Sequence, residues 1–204
     1  MLFFAIFDTA GHELRAGLGT TLVMSAIRAA RRAGAGLDAM ARAADQALEE
    51  HLAGLRFTTA VLAELDLASG CQRFINAGHP QPLLIRHGKE VRSLVSGRRM
   101  PLGLDDLQVE IAEEMLERGD RPLLFTDGIT EARDRTGELF GTERLIDLVQ
   151  RTAGQRPAPE ALRRLCHAAL SQAESFIPRP CAHASRASRR GSCRTPRSAG
   201  RPSD

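Results

Sequence analysis

Two aspartates carry the first chemistry this sequence offers. Leu123-Leu124-Phe125-Thr126 runs into Asp127-Gly128-Ile129-Thr130-Glu131, and Phe3-Phe4-Ala5-Ile6-Phe7 runs into Asp8. An apolar run closed by an acid reads as a buried strand that delivers a carboxylate to the edge of a sheet, where the backbone then turns. A carboxylate so placed needs a cation or a donor. A single strand-end aspartate most often caps a turn or the next helix. Two of them brought together make a metal site, since hard cations prefer oxygen ligands. The histidines are less specific. His51 lies beside a helical apolar stripe and reads as a satisfied or solvated helix residue, and His79, between Gly78 and Pro80, reads as part of a rigid hairpin link. His12 reads first as hydrogen bonding within the turn Thr9-Ala10-Gly11-His12-Glu13, with proton donation or phosphate orientation as the alternative.

The elements that must hold the two acids follow from periodicity. Residues 17–33 predict a helix through Leu18, Leu22, Ala26, Ile27 and Ala30, stopped by Gly34-Ala35-Gly36. Residues 37–55 predict a second, with Leu37, Met40, Ala44, Leu48, Leu52 and Leu55 on one stripe. Residues 57–65 and 71–76 predict a β-hairpin through Ala68-Ser69-Gly70, and residues 83–86 and 90–94 a second one through His87-Gly88-Lys89. Met100-Pro101-Leu102-Gly103-Leu104 reads as an irregular connection, and residues 108–115 as a strand alternating apolar and acidic residues. Helical spacing returns from Thr142 and again from Pro159, a first-turn proline. Helices segregated from antiparallel strands predict an α+β layered fold, not a doubly wound parallel sheet.

Composition narrows the classes of function. A 204-residue chain with 43% hydrophobic residues predicts one globular domain, residues 1–174. Aromatics are 4%, with no Trp or Tyr, which argues against base-stacking platforms for single-stranded nucleic acid. The net charge of +3 is misleading. From Phe176 onward there are seven arginines, no lysine and one acid, so the positive charge belongs to this end and the remainder is acidic on balance. Residues 175–204 have no apolar period and predict a disordered Arg/Ser-rich tail, which reads as a terminus altered by frameshift more than as an RNA- or lipid-binding arm. Cys71, Cys166, Cys181 and Cys193 lack zinc-ligand spacing and read as free thiols of a reducing cytosol. No apolar run approaches the roughly 18 residues of a membrane span, and no signal peptide is recognisable. A cytoplasmic protein without a membrane partner, and without a role in nucleic-acid binding, is the expectation.

Several motifs resemble, in order, those of the bacterial PP2C-like (PPM-type) serine/threonine phosphatases of the SpoIIE and RsbU class. They are Asp8-Thr9-Ala10-Gly11-His12, Phe57-Thr58-Thr59-Ala60, Asn76-Ala77-Gly78-His79-Pro80, Pro101-Leu102-Gly103 and Phe125-Thr126-Asp127-Gly128-Ile129-Thr130-Glu131-Ala132. The resemblance implies a four-layer α-β-β-α sandwich of mainly antiparallel sheets with a two-metal site for Mn²⁺ or Mg²⁺. By that resemblance Asp8 would bridge both metals, the Thr9 carbonyl would bind one and Asp127 the other, with His12 beside them. Gly11 would let the turn pass close to the site, Gly128 would free the backbone after the ligand, and Thr126 would satisfy the backbone around it. The implied reaction is hydrolysis of phosphoserine or phosphothreonine on a regulatory phosphoprotein, typically an anti-sigma-factor antagonist in bacterial signal transduction.

The sequence also departs from the family pattern. A Gly-Gly-Asp-x-Tyr-Asp strand before the first motif and an Asp-Asp-x-Thr strand after the last are not found, so a domain truncated at both ends is expected. Glu13 stands where the family has glycine. The alternative function is therefore a catalytically impaired remnant that acts as a protein-binding module.

Overall fold

The computed structural model describes residues 1–9, 11, 14–52, 57–88, 90–104, 108–134, 136–153 and 158–176. The elements, in chain order, are β1 (Leu2–Thr9), α1 (Leu14–Arg32), α2 (Leu37–Leu52), β2 (Thr58–Leu65), β3 (Cys71–Ala77), β4 (Leu83–Arg86), β5 (Glu90–Ser93), β6 (Arg98–Arg99), β7 (Ala112–Met115), β8 (Arg121–Leu123), α3 (Asp127–Thr130), α4 (Gly141–Ala153) and α5 (Ala158–Phe176). One sheet runs β1-β2-β3-β6, with β7 also paired to β3; the other runs β5-β4-β8. All pairs are antiparallel except β3 with the short β6.

Side-chain alternation along the strands sorts their residues between separate cores. Ala60 and Leu62 of β2 and Ile75 and Ala77 of β3 face the helices, where they meet Val23 and Ile27 of α1 and Met40, Ala44 and Leu48 of α2. Ala63 and Phe74 point the other way and pack with Leu84 of β4, Leu94 and Ala112. Leu83 and Ile85 of β4 take the remaining face, against Leu145 and Val149 of α4 and Leu165 of α5. The layers are thus helix, sheet, sheet, helix, the expected α-β-β-α sandwich. Each fully buried Leu or Phe side chain contributes about 1.5–3 kcal/mol from removal of apolar surface from water.

Two inter-element ties matter for the site. Arg99, its side chain fully buried, pairs with Asp45 of α2 at 2.8 Å, and the other Asp45 oxygen accepts the Gly103 N–H at 2.9 Å. The connection Pro101-Leu102-Gly103 is therefore anchored to α2, and Leu102 exchanges two backbone hydrogen bonds of 2.9 Å with Thr58 at the start of β2.

Some elements differ from their sequence expectations. The strand before Asp127 ends at Leu123, because its partner β4 begins only at Leu83, after Pro80-Gln81-Pro82, and leaves residues 124–126 no ladder to join. Asp127 then opens a short helix and does not itself close a strand. The strand expected over residues 108–115 forms only over Ala112–Met115, where β3 supplies a partner. The irregular connection is preceded by β6, held parallel to the end of β3. Helix α5 continues through Phe176, so residues 175 and 176 of the expected tail are helical, and residues 177–204 lie outside the described residues.

Candidate active site

Strand register brings the chosen residues to one end of both sheets. Asp8 pairs with Thr59 and Thr9 with Thr58 across β1 and β2, while Asn76 ends the β3 ladder beside them. In the second sheet Leu83 pairs with Leu123, so His79, four residues before Leu83, and Asp127, four residues after Leu123, leave β4 and β8 at that same end.

Polar side chains interlock the motifs there. Thr9 Oγ1 lies 3.0 Å from Thr58 Oγ1 and 2.8 Å from Thr20 Oγ1 of α1. The Thr59 hydroxyl donates to the Asp8 carbonyl at 3.2 Å, and the same Oγ1 lies 2.9 Å from His79 Nδ1. The His79 main-chain N–H donates to Asn76 Oδ1 at 2.8 Å. Gly78 is required by space as well as conformation: at φ +66, a Cβ would fall 2.5 Å from Pro101 Cγ. The sequence stretches around Asp8, Thr58, Asn76 and Pro101 are therefore one packed unit.

Electrostatics single out His79. The ring is buried, at 5% exposure, and burial pushes its pKa below the usual histidine range. The Phe125 carbonyl and then the Asp8 and Asp127 carboxylates pull the other way, so both acids are close enough for this ring to feel their charge. Nε2 is buried and makes no hydrogen bond of ordinary geometry. Asp8 is half-buried and Asp127 exposed, and among the described residues neither carboxylate has an ion pair or a side-chain hydrogen bond.

The other expected site residues fare unevenly. Gly11 has φ 102, in the left-handed region that favours glycine. Gly128 has no positive φ, and a Cβ there would meet only Thr126 Oγ1, at 3.6 Å, so the helical turn that begins at Asp127 does not require glycine. Thr126 occupies the N-cap position of α3 without a side-chain capping bond; it is Thr130 that bonds the Asp127 carbonyl, at 3.2 Å. His12 and Glu13 lie outside the described residues. Sequence reasoning read His79 as part of a rigid link, which its main-chain bond to Asn76 bears out, but it passed over Thr59 and Asn76 as individual side chains. A signal was available, since polar residues at the ends of otherwise apolar strands need partners.

Two carboxylates with no basic partner among the described residues suit a divalent cation. Among the described residues, no three His, Cys, Asp or Glu side chains converge as a metal-holding group. The donor set fits a hydrated hard cation that keeps several waters, the usual state of Mg²⁺ held by one or two carboxylates.

The chain matches the family described as Stage II sporulation protein E (SpoIIE) over residues 1–177. It is 28% identical over 112 residues to Protein IcfG of Synechocystis sp., covering 54% of this chain and 18% of that protein, so the match spans less than a fifth of that relative. The SiaA-PP2C domain of Pseudomonas aeruginosa superimposes with a TM-score of 0.74 at 26% identity, covering 90% of this chain and 71% of that one. The RsbU and RsbW domains of a Mycobacterium tuberculosis protein give 0.69 at 27% identity, covering 83% and 46%. Other structures sharing this fold contain manganese or magnesium. With its layers, its motif order and nearly all of its described length accounted for, the chain belongs to the SpoIIE family of PP2C-type phosphatase domains.

Proposed function

We propose that this chain is a metal-dependent protein phosphatase that hydrolyses phosphoserine or phosphothreonine on a regulatory protein of the anti-sigma-factor-antagonist type, in the cytoplasm. The observation that carries the reading is that strand register brings Asp8 and Asp127, both without a basic partner among the described residues, to the same end of the two sheets beside the buried His79. Mn²⁺ or Mg²⁺, when bound, neutralises phosphate charge and brings water toward hydroxide near neutral pH. Asp8, the Thr9 carbonyl and Asp127 would hold it. The protein's own contribution is orientation: Thr59 fixes the Asp8 carbonyl, the hydroxyls of Thr58 and Thr20 hold the Thr9 side chain, and the Gly78–Pro101 contact sets the link that carries His79. The occurrence of RsbU and RsbW domains together in the mycobacterial relative supports a regulatory protein as substrate.

The test is Mn²⁺-dependent hydrolysis of a phosphoserine or phosphothreonine peptide by the purified chain, expected to be lost in Asp8→Ala and Asp127→Ala. Activity that persists in both variants would overturn the assignment. The sparse set of protein ligands among the described residues favours a second reading, a partner-binding module without catalysis. Calorimetric titration separates the two, because micromolar Mn²⁺ binding at two sites per chain is incompatible with a dead remnant.

A further inference from the structure

A charged residue interrupts the buried stripe of α2. Ala41, Ala44 and Leu48 flank Asp45 on the helix and are packed into the core, so helical spacing calls for an apolar residue at that position. Asp45 instead faces the connection that follows β6. Its Oδ2 accepts from Arg99 Nη2 at 2.8 Å and its Oδ1 accepts the Gly103 N–H at 2.9 Å. Arg99 Nε in turn donates to the Met100 carbonyl at 3.1 Å, and the Arg99 side chain is fully buried. One carboxylate thus holds both ends of residues 99–103.

A buried ion pair adds little net stability, because taking two charges out of water offsets most of their attraction. Apolar residues of similar volume often do as well. What the pair supplies is direction, since two bonds from one carboxylate fix where residues 99–103 lie against α2.

That connection touches the acid-bearing end at two places. Leu102 and Thr58 exchange two backbone hydrogen bonds of 2.9 Å, and Thr58 Oγ1 lies 3.0 Å from Thr9 Oγ1, next to Asp8. Pro101 packs on Gly78, where a Cβ would fall 2.5 Å from Pro101 Cγ, and Gly78 leads directly into His79. Thr58 opens β2 and Gly78 follows β3, so a shift of the connection reaches this end through two strands at once.

We propose that Asp45 is a positioning residue of the acid-bearing end: its two oxygens set the 99–103 connection, and the connection sets Thr58 and the Gly78–His79 link. The effect on rate rests on the metal-dependent phosphatase reading; the effect on local order does not.

The test removes both charges together in the full chain, as Asp45→Leu with Arg99→Met. The thermal midpoint should stay level or rise, as for other buried pairs replaced by apolar residues. The kcat for a phosphopeptide with saturating Mn²⁺ should nevertheless fall about 10- to 100-fold, the scale of a small misplacement of reacting groups. In metal-free protein, amide hydrogen exchange should quicken at Thr58, His79 and Leu102 and stay unchanged in β4 and β8. Either wild-type kcat or wild-type exchange at those three amides in the folded variant overturns the proposal. A lowered midpoint with exchange quickened uniformly marks a role in stability alone and overturns it too. If wild type shows no Mn²⁺-dependent hydrolysis, the phosphatase reading falls and the exchange pattern alone decides the role of Asp45. If the double variant does not fold, Asp45→Asn with Arg99→Met keeps an acceptor for the Gly103 N–H; it should change kcat and exchange in the same direction but less, and wild-type values overturn the proposal.

Discussion

Where β4 ends and β8 begins, Arg86 is gripped by acceptors. Its Nε and Nη2 reach Asp120 Oδ2 at 3.0 and 2.8 Å, Nη2 also reaches the Met115 carbonyl at 2.7 Å, and Nη1 lies 3.3 Å from Glu117. Asp120, with a side chain 1% exposed, takes the Glu117 N–H as well, and Arg92 pairs with Glu114 nearby. Because Glu114 and Met115 belong to β7 and Arg86 to β4, this cluster ties the two sheets together. The opposite end of the same sheets carries Asp8 and Asp127 with no such partners among the described residues. One end has its charges compensated by the protein and the other leaves compensation to something bound. Compensation of the first kind serves stability, whereas an uncompensated pair costs stability and creates affinity for a cation.

The largest test of that contrast is to neutralise an acid at each end. Asp8→Asn and Asp127→Asn should each lower phosphopeptide hydrolysis by about 100-fold or more, at or beyond the upper range for losing a group that only supports a metal ligand. Their metal-free thermal midpoints should stay level or rise, because among the described residues neither carboxylate has an ion pair to lose. Asp120→Asn should do the reverse, with a midpoint lower by several degrees and kcat per folded molecule unchanged. A fall in midpoint for Asp127→Asn, measured in EDTA by scanning calorimetry, would break the comparison.

Metal should act at only one end. With Mn²⁺ at about 100 times its Kd, binding to the native state alone adds about 2.7 kcal/mol of stability. The resulting upward shift in midpoint should appear in wild type and Asp120→Asn, vanish in Asp8→Asn and Asp127→Asn, and be abolished by EDTA.

Acid should weaken the compensated end. Burial pushes the Asp120 carboxyl up, but the Arg86 hydrogen bond, the Glu117 N–H and the charges of Arg86 and His87 together bring it below the usual carboxylate range. A carboxylate whose folded pKa is depressed adds stability that is fully present above its unfolded pKa and is lost as pH falls through the folded value. Wild type should therefore lose stability below about pH 4, the ordinary aspartate range, and Asp120→Asn should lack that part of the acid limb. Denaturant midpoints measured between neutral and strongly acidic pH in both proteins check this.

Much of the fold was legible in the sequence because its signals are local. Leu37, Met40, Ala44 and Leu48 repeat at helical spacing and form one buried face of α2, and both hairpins follow from alternation and turn residues. What was not legible depends on pairing partners distant in sequence. The strand before Asp127 stops early because β4 begins late, and β6 exists because β3 offers it a parallel edge. At the site, the apolar runs disclosed Asp8 and Asp127. The weight of His79 was hidden, because burial, a Thr59 contact twenty positions away and two distant charges are properties of the assembled ends.

The smallest expected effect separates two glycines within the open end. Both lie in stretches that resemble family motifs, and sequence alone gives Gly128 the same conformational excuse as any glycine after a ligand. Gly128, however, sits in the first turn of α3 without a positive φ, and an added methyl meets only Thr126 Oγ1 at an ordinary 3.6 Å. Replacing such a glycine by alanine reduces the freedom of the unfolded chain, so Gly128→Ala should stabilise by about 0.4–1 kcal/mol in urea unfolding. Gly78→Ala has the opposite sign, because its Cβ would strike Pro101 at 2.5 Å from a backbone at φ +66, and His79 would be displaced with it. If Gly128→Ala were instead the destabilising change, the turn carrying Asp127 would be held in a conformation other than helical, and the open end would need its geometry redrawn around that acid.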